Sequence, residues 1–370
     1  MDKKIAIVYD WFDKWGGVER VLLTLHEIFP KAIFFTSYWD KEKANWAKNL
    51  VIKTSFIQKL PKFIKKNRLL SLLFYPIAFE TFDFSEFDLV ISVTSSFAKG
   101  VIVKPPTKHI VYLLTPTRFL WVMPENYHLT SFRKKLLSPY LNYLKKWDLA
   151  AISRANQLIS ISNTVKERCI RYYQRKTQVI YPPFDFVYWQ MIKSKLQSFK
   201  SEKFEYDDYF LVVSRLESYK KVDLVIDVFN KLNKRLIVVG DGSQKNKLKR
   251  LANKNITFLE NLSDVELGYL YTKAEALIIP QEEDFGYVAL ESVFFGCPVI
   301  AYKKGGVLEI VSENKTGLFF KQQNQDSLKK ALAQFQIKKE KLKKYLKKNN
   351  FAHLEKFDKI DFIQQFKKYI

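Results

Sequence analysis

The sequence predicts an α/β protein of two domains, each built on a parallel sheet, and three observations carry that prediction. Short β-branched apolar runs alternate with longer stretches of helical periodicity, the pattern of parallel strands joined by crossover helices. The chain has 370 residues, more than an ordinary single domain and enough for two of about 150–200 residues. A polar stretch rich in Lys, Ser and Glu, Trp189 to Asp208, divides the apolar runs into two series.

The first series predicts strands at Ile5–Tyr9, Ala32–Phe35, Leu89–Val93, His109–Leu113 and Gln157–Ser160. The second predicts Tyr209–Val213, Leu236–Val239, Ile256–Leu259, Ala276–Ile279, Val299–Ala301 and Leu318–Phe320. Between them, Tyr181-Pro182-Pro183 can continue neither a helix nor a central strand. These signals set a first domain over 1–188, a linker over 189–208 and a second domain over 209–336. The tail, 337–370, is Lys-rich with apolar residues at helical spacing and predicts amphipathic surface helices.

Composition narrows the class. At 47% hydrophobic and 16% aromatic the chain has material for two cores, which excludes a disordered protein. Cys169 and Cys297 are the only cysteines, which excludes a disulfide framework or a Cys-based zinc site and fits a reducing cytoplasm. The longest nearly apolar run, Leu69 to Phe79, is too short to span a bilayer and contains Pro76. The opening MDKKIAIVYD enters a strand-like run without a signal-peptide pattern, so a cytoplasmic location is expected. The net charge is +24, and 51 of the 62 basic residues are Lys. That excess admits a compositional reading, a Lys-rich solvated surface, and a functional one, contact with an anionic membrane. Nucleic acid is not an expected partner, because neither a recognition helix nor an aromatic single-strand pattern is present.

Three segments carry candidate chemistry. In Tyr9 to Arg20 a strand ends, a loop closes on Gly16-Gly17 and a helix begins, so backbone N–H groups can approach an anion. An ordinary turn has the same signature. In Val213 to Lys221, Arg215 offers a planar fork and Lys220 a point charge just after a strand, a pair suited to a diphosphate. Two solvated bases would look alike. In Pro280 to Glu291 an apolar strand runs into an acidic loop and then a helix starting near Gly286. Glu283 falls in the loop and Glu291 on the helix, both near the carboxyl edge of the sheet, where carboxylates can accept bonds from sugar or ribose hydroxyls.

With those segments the chain resembles the retaining glycosyltransferases of family four. The likeness rests on the Glu-x7-Glu spacing of Glu283 and Glu291 with Phe285-Gly286 between them, and on Gly296-Cys297-Pro298-Val299-Ile300, Gly305-Gly306 and Glu309. It extends to Arg215-x4-Lys220, Gly16-Gly17-Val18-Glu19-Arg20 and Tyr181-Pro182-Pro183. The resemblance is nearest to mannosyltransferases of bacterial surface-polysaccharide assembly. It implies the GT-B architecture: two facing Rossmann-like domains, an acceptor-binding one first and a nucleotide-sugar-binding one second, with an interdomain cleft. It further implies that Arg215 and Lys220 neutralise the donor diphosphate, that Glu283 faces the donor sugar, and that Glu291 holds the ribose. By the same resemblance the backbone of Phe285, Gly286, Tyr287 and Val288 lies along sugar and phosphates, Gly16 and Gly17 approach the diphosphate, and the base sits near Leu259 and Glu260. No metal or cofactor is implied, the nucleotide sugar being a substrate, and the chain contains no Asp-x-Asp. Retention is then expected through a front-face route in which the departing phosphate takes the acceptor's proton. The expected acceptor is a lipid-linked or growing surface glycan.

One departure stands out. In Tyr112 to Trp121, Leu114 occupies the place where the family carries a His that contacts the donor sugar. Leucine cannot make that hydrogen bond. A working transferase and a catalytically impaired nucleotide- or glycan-binding relative therefore both stay open. His109, on the same strand, is a candidate substitute imidazole or a plain strand residue. Gln58 to Phe79 and Ser131 to Trp147 mix Lys and Arg with Leu, Phe, Tyr and Trp, as on faces that lie on anionic lipid or on core-facing helices with basic outer sides.

Overall fold

Runs such as IAIVY at Ile5–Tyr9 and YFLVV at Tyr209–Val213 are apolar on both faces, and a strand of that kind is stable only when covered on both sides. In a computed structural model, which describes residues 3–122, 131–199, 206, 208–348 and 352–370, these runs form the centres of two parallel sheets. The chain divides into one unit of Met1–Pro183 with Ile360–Ile370 and a second of Phe184–Lys359.

The first unit contains β1 (Ile5–Tyr9), β2 (Ile33–Thr36), β3 (Val51–Thr54), β4 (Leu89–Thr94), β5 (Lys108–Leu113), β6 (Gln157–Ser160) and β7 (Gln178–Val179). They lie in the order β3-β2-β1-β4-β5-β6-β7, every pairing parallel. The second unit contains β8 (Tyr209–Val213), β9 (Arg235–Val239), β10 (Ile256–Leu259), β11 (Leu277–Ile279), β12 (Val299–Tyr302) and β13 (Gly317–Phe320). Their order is β10-β9-β8-β11-β12-β13, again parallel throughout. Helices cover the faces: Val222–Leu232 and Gln325–Lys348 pack Val225, Ile226, Phe229, Leu328 and Phe335 into the core of the second sheet.

All eleven expected strands are present to within a residue or two at their ends. Two others were not expected. β3, with sequence VIKT, is a sheet-edge strand whose residues stay largely exposed, and β7 is only two residues long; neither leaves an apolar run to read. The expected linker also needs correction. Phe186–Lys195 is a helix capped by Asp185, whose carboxylate accepts from the Tyr188 N–H (2.9 Å), and it buries Trp189 and Ile192 in the second unit. The division therefore falls at Pro183, five residues earlier than the composition shift suggested. The tail differs as well. Helix Gln325–Lys348 crosses the expected boundary at 336 without a break. Helix Lys359–Lys367 buries Phe362 and Phe366 against the Tyr112 ring of the first unit, centroids 5.8 and 6.0 Å away, and leaves Ile360, Gln364 and Lys367 exposed.

Candidate functional site

The order of the second sheet reverses between β8 and β11. Loops leaving the carboxyl ends of two such neighbours turn to opposite sides and open a crevice, where doubly wound sheets take their ligands. The loop after β8 carries Arg215 and Lys220, and the loop after β11 carries Gln281 and Glu283. Lys220 Nζ lies 2.5 Å from Glu283 Oε1, an ion pair that bridges the reversal. Gln281 Nε2 donates to the same oxygen at 2.6 Å. Lys220 and Gln281 are buried, whereas Arg215 is exposed and pairs with no carboxylate among the described residues. The Gln281 Oε1 atom is buried and accepts no hydrogen bond from the described residues.

Glycines hold the acidic loop in place. Gly305 (φ +89°) and Gly306 follow β12, and Glu283 forms a parallel bridge with Gly305 while its carbonyl accepts from the Gly306 N–H at 2.7 Å. A Cβ on Gly305 would overlap the Glu283 carbonyl oxygen, and one on Gly306 would stand 2.5 Å from that of Phe285. The two residues are glycine because backbone lies directly on backbone. Gly286 then precedes the helix Tyr287–Phe294, whose N-terminus is the positive end of the helix dipole and favours an anion, although the Ala289 N–H is already taken by the Gly286 carbonyl (2.9 Å). Gly286, Tyr287 and Val288 are half-buried and Phe285 is buried. Glu291, on the same helix, is buried too, and Tyr271 donates to its Oε2 at 3.1 Å.

At the end of β10 the Leu259 carbonyl accepts from the Gly240 N–H (2.9 Å), and the exposed Glu260 carboxylate is held by Lys245. Gly240 belongs to a loop the sequence reading passed over. Gly240 (φ +143°) and Gly242 press against the backbone of Ser214 and Leu216, and the Leu216 N–H donates to the Asp241 carbonyl (2.9 Å). This loop supports the one that carries Arg215 and Lys220. A Gly-Asp-Gly directly after an apolar strand was its signal.

The first sheet reverses between β1 and β4. Asp10, at the end of β1, is fully buried and accepts from Thr94 Oγ1 (2.8 Å) and from the N–H groups of Ser95 (2.9 Å), Phe97 (2.8 Å) and Ala98 (2.8 Å). It ties the two loops at that reversal. Gly16, in extended conformation, precedes the helix Gly17–Ile28. Leu114 follows β5 and is half-buried, its N–H donating to the Thr94 carbonyl at 2.8 Å. The segment beyond it is fastened from beneath by a buried ion pair, Lys99 Nζ to Asp148 Oδ1 at 2.7 Å. Thr117 (2.8 Å), Trp121 (2.8 Å) and Tyr173 (2.7 Å) also donate to Asp148. Lys99 and Asp148 are far apart in sequence and carry no local signal.

His109 is not a candidate imidazole for catalysis. It is fully buried, its Nε2 is 2.9 Å from Ser92 Oγ, and burial, aided by the Arg154 guanidinium, pushes its pKa down to about 3. Burial likewise pushes the Cys169 and Cys297 thiols up to about 11, far from a reactive thiolate. Among the described residues no group of three His, Cys, Asp or Glu side chains is placed to hold a metal ion, and no helix is long and apolar enough to cross a membrane.

Two doubly wound parallel-sheet units, each with its candidate loops at the carboxyl edge, make up the GT-B class of fold. Residues 15–187 match the model of the family described as Glycosyltransferase Family 4, and residues 193–353 match that of Glycosyl transferases group 1. The chain belongs to the GT-B glycosyltransferases. It is 28% identical over 189 residues to an uncharacterised glycosyltransferase of Methanocaldococcus jannaschii, covering 46% of this chain and 48% of the relative. It is 29% identical over 143 residues to a GDP-mannose-dependent alpha-(1-6)-phosphatidylinositol monomannoside mannosyltransferase of Mycobacterium tuberculosis, covering 34% and 37%. The chain thus spans about half the length, or less, of the curated relatives it matches. Among solved structures, Anabaena HepE in complex with UDP shares the fold with a TM-score of 0.71 at 18% identity, over 99% of each chain.

Proposed function

We propose that this protein transfers a hexose, mannose from GDP-mannose, to a lipid-linked or growing surface glycan with retention at the anomeric carbon. The observation that carries the reading is the Lys220–Glu283–Gln281 cluster beside a helix N-terminus at the sheet reversal. Lys220 and Arg215 give one loop two cationic groups for a diphosphate. Glu283 and the unpaired Gln281 Oε1 offer acceptors for sugar hydroxyls. Glu291 is assigned to the ribose, Leu259 and Glu260 to the surroundings of the base, and Gly16 and Gly17 to the diphosphate. In the reaction the bond from the anomeric carbon to the diphosphate oxygen breaks while the acceptor oxygen bonds on the same face. The acceptor's proton passes to the departing phosphate. Because Arg215 and Lys220 take up the leaving-group charge, turnover is expected to persist in EDTA.

Mannose and guanine are favoured by the mycobacterial relative's name; HepE, solved with UDP, speaks for a uracil donor. Transfer or hydrolysis measured across GDP- and UDP-sugars separates the two. In that assay Glu283→Gln should keep nucleoside diphosphate affinity and lose about 100-fold in turnover, as when one transition-state contact is removed. Turnover unchanged in the variant would sink the assignment of Glu283. A second reading, a binding subunit without turnover, is favoured by Leu114, an aliphatic side chain where the family has His. It requires donor binding without transfer to any acceptor.

A further inference from the structure

We propose that the face formed by Phe56 to Ile77 in the first unit docks on an anionic membrane surface. The run Lys43 to Phe79 contains eight Lys and Arg and no Asp or Glu. Within it seven large apolar side chains stand in solvent, Val51 and, between Phe56 and Ile77, Phe56, Phe63, Leu69, Leu70, Leu73 and Ile77, with Phe63 69% exposed and Leu73 55%. No other stretch of this length among the described residues has so many. Single exposed leucines are ordinary, but a cluster marks an interaction surface.

The short turns that carry these residues are tied to one another. The Phe56 and Phe74 rings meet at 6.3 Å, Lys65 Nζ donates to the Gln58 carbonyl (2.9 Å), and Ser71 Oγ donates to the Ile64 carbonyl (2.6 Å). Short helical turns at Phe56–Lys59, Lys62–Lys65 and Ser71–Leu73 turn their apolar sides outward, while Ile57, Leu72 and Tyr75 anchor them in the core. Helix Ser131–Ser153 abuts the patch, with Tyr140 donating to the Leu72 carbonyl (3.0 Å) and the exposed Tyr143 stacked beside it. Exposed Lys59 and Lys62 rim the apolar residues, and the Lys66 partner Asp40 lies outside the run. Apolar side chains that enter the acyl boundary and lysines that meet anionic headgroups are the two components of interfacial binding. Charge selects the occupant, since a protein partner of this face would have to be strongly acidic over the whole patch. The inference deepens the reading of a lipid-linked acceptor and rests on that reading only for its purpose.

The test is co-sedimentation of the full chain with phosphatidylcholine vesicles, with and without about 30% phosphatidylglycerol. The chain should partition to the anionic vesicles and lose that partition as salt rises. Leu70→Ser/Leu73→Ser and Lys59→Glu/Lys62→Glu should each release it, the second by roughly 20-fold or more at about fivefold per basic residue. GDP or UDP affinity, unchanged in both variants, reports that they are folded. No binding of the natural chain at low salt, binding indifferent to both variants, or a patch consumed by dimerisation without vesicle binding would each overturn the proposal. Vesicle binding by a chain that shows no sugar transfer leaves this surface standing and counts against the transferase reading alone.

Discussion

A single oxygen, Glu283 Oε1, receives both Lys220 and Gln281, so the carboxylate proposed to face the sugar and the ammonium proposed to face the diphosphate are already partners of one another. A diphosphate would replace Glu283 as the partner of Lys220, and that exchange frees the carboxylate for hydroxyl groups. His109 presents the opposite case, a polar side chain that burial has made inert. Its pKa of about 3 lies below the unfolded value of about 6.5, so the neutral ring is the form the fold holds. Its stabilising contribution is complete above pH 6.5 and is lost as pH falls towards 3, amounting to about 2 kcal/mol by pH 5. His109→Leu should therefore flatten the fall in stability between pH 6.5 and 4.5, read by denaturant titration at each pH. The Ser92 hydroxyl keeps its own bond to the Ala98 carbonyl at 2.9 Å in that variant. A fall as steep as the natural chain's would remove His109 as its cause.

At the scale of elements, the site consists of loops pressed against one another by glycine. Gly305→Ala combines a left-handed backbone with an overlap onto the Glu283 carbonyl, a cost of about 3 kcal/mol or more. The expected result is a chain whose second unit is destabilised and whose nucleotide affinity falls with it, measured by thermal melting and titration calorimetry. A variant that melts and binds like the natural chain would show that the loop can move aside. These loops were legible in the sequence because strand, glycine turn and helix start each leave a local pattern, as in Pro280 to Glu291. The central strands were legible for the same reason. What escaped reading left no local apolar run: β3 is a largely exposed edge strand, β7 has only two residues, and Lys99 and Asp148 meet only in the fold. Gly240 and Gly242 were overlooked although their signal was local. That the tail helix packs in the first unit, with Phe362 and Phe366 buried there, could not be told from the sequence, because apolar residues at helical spacing say that one face is covered and not by what.

For the whole molecule, two sheets with the same reversal of order account for the choice of family, and matches over residues 15–187 and 193–353 agree with it. The central claim is narrower: a nucleoside diphosphate sits at the carboxyl edge of the second sheet, held by Lys220 and Arg215. Calorimetric titration of GDP and UDP into the full chain, and into Lys220→Ala, tests it directly. Binding of at least one nucleotide, weakened about 10- to 150-fold in the variant by loss of one charge-assisted bond worth about 1.5–3 kcal/mol, is the predicted result. Absence of binding by the natural chain, or equal affinity in the Lys220→Ala protein, would contradict it.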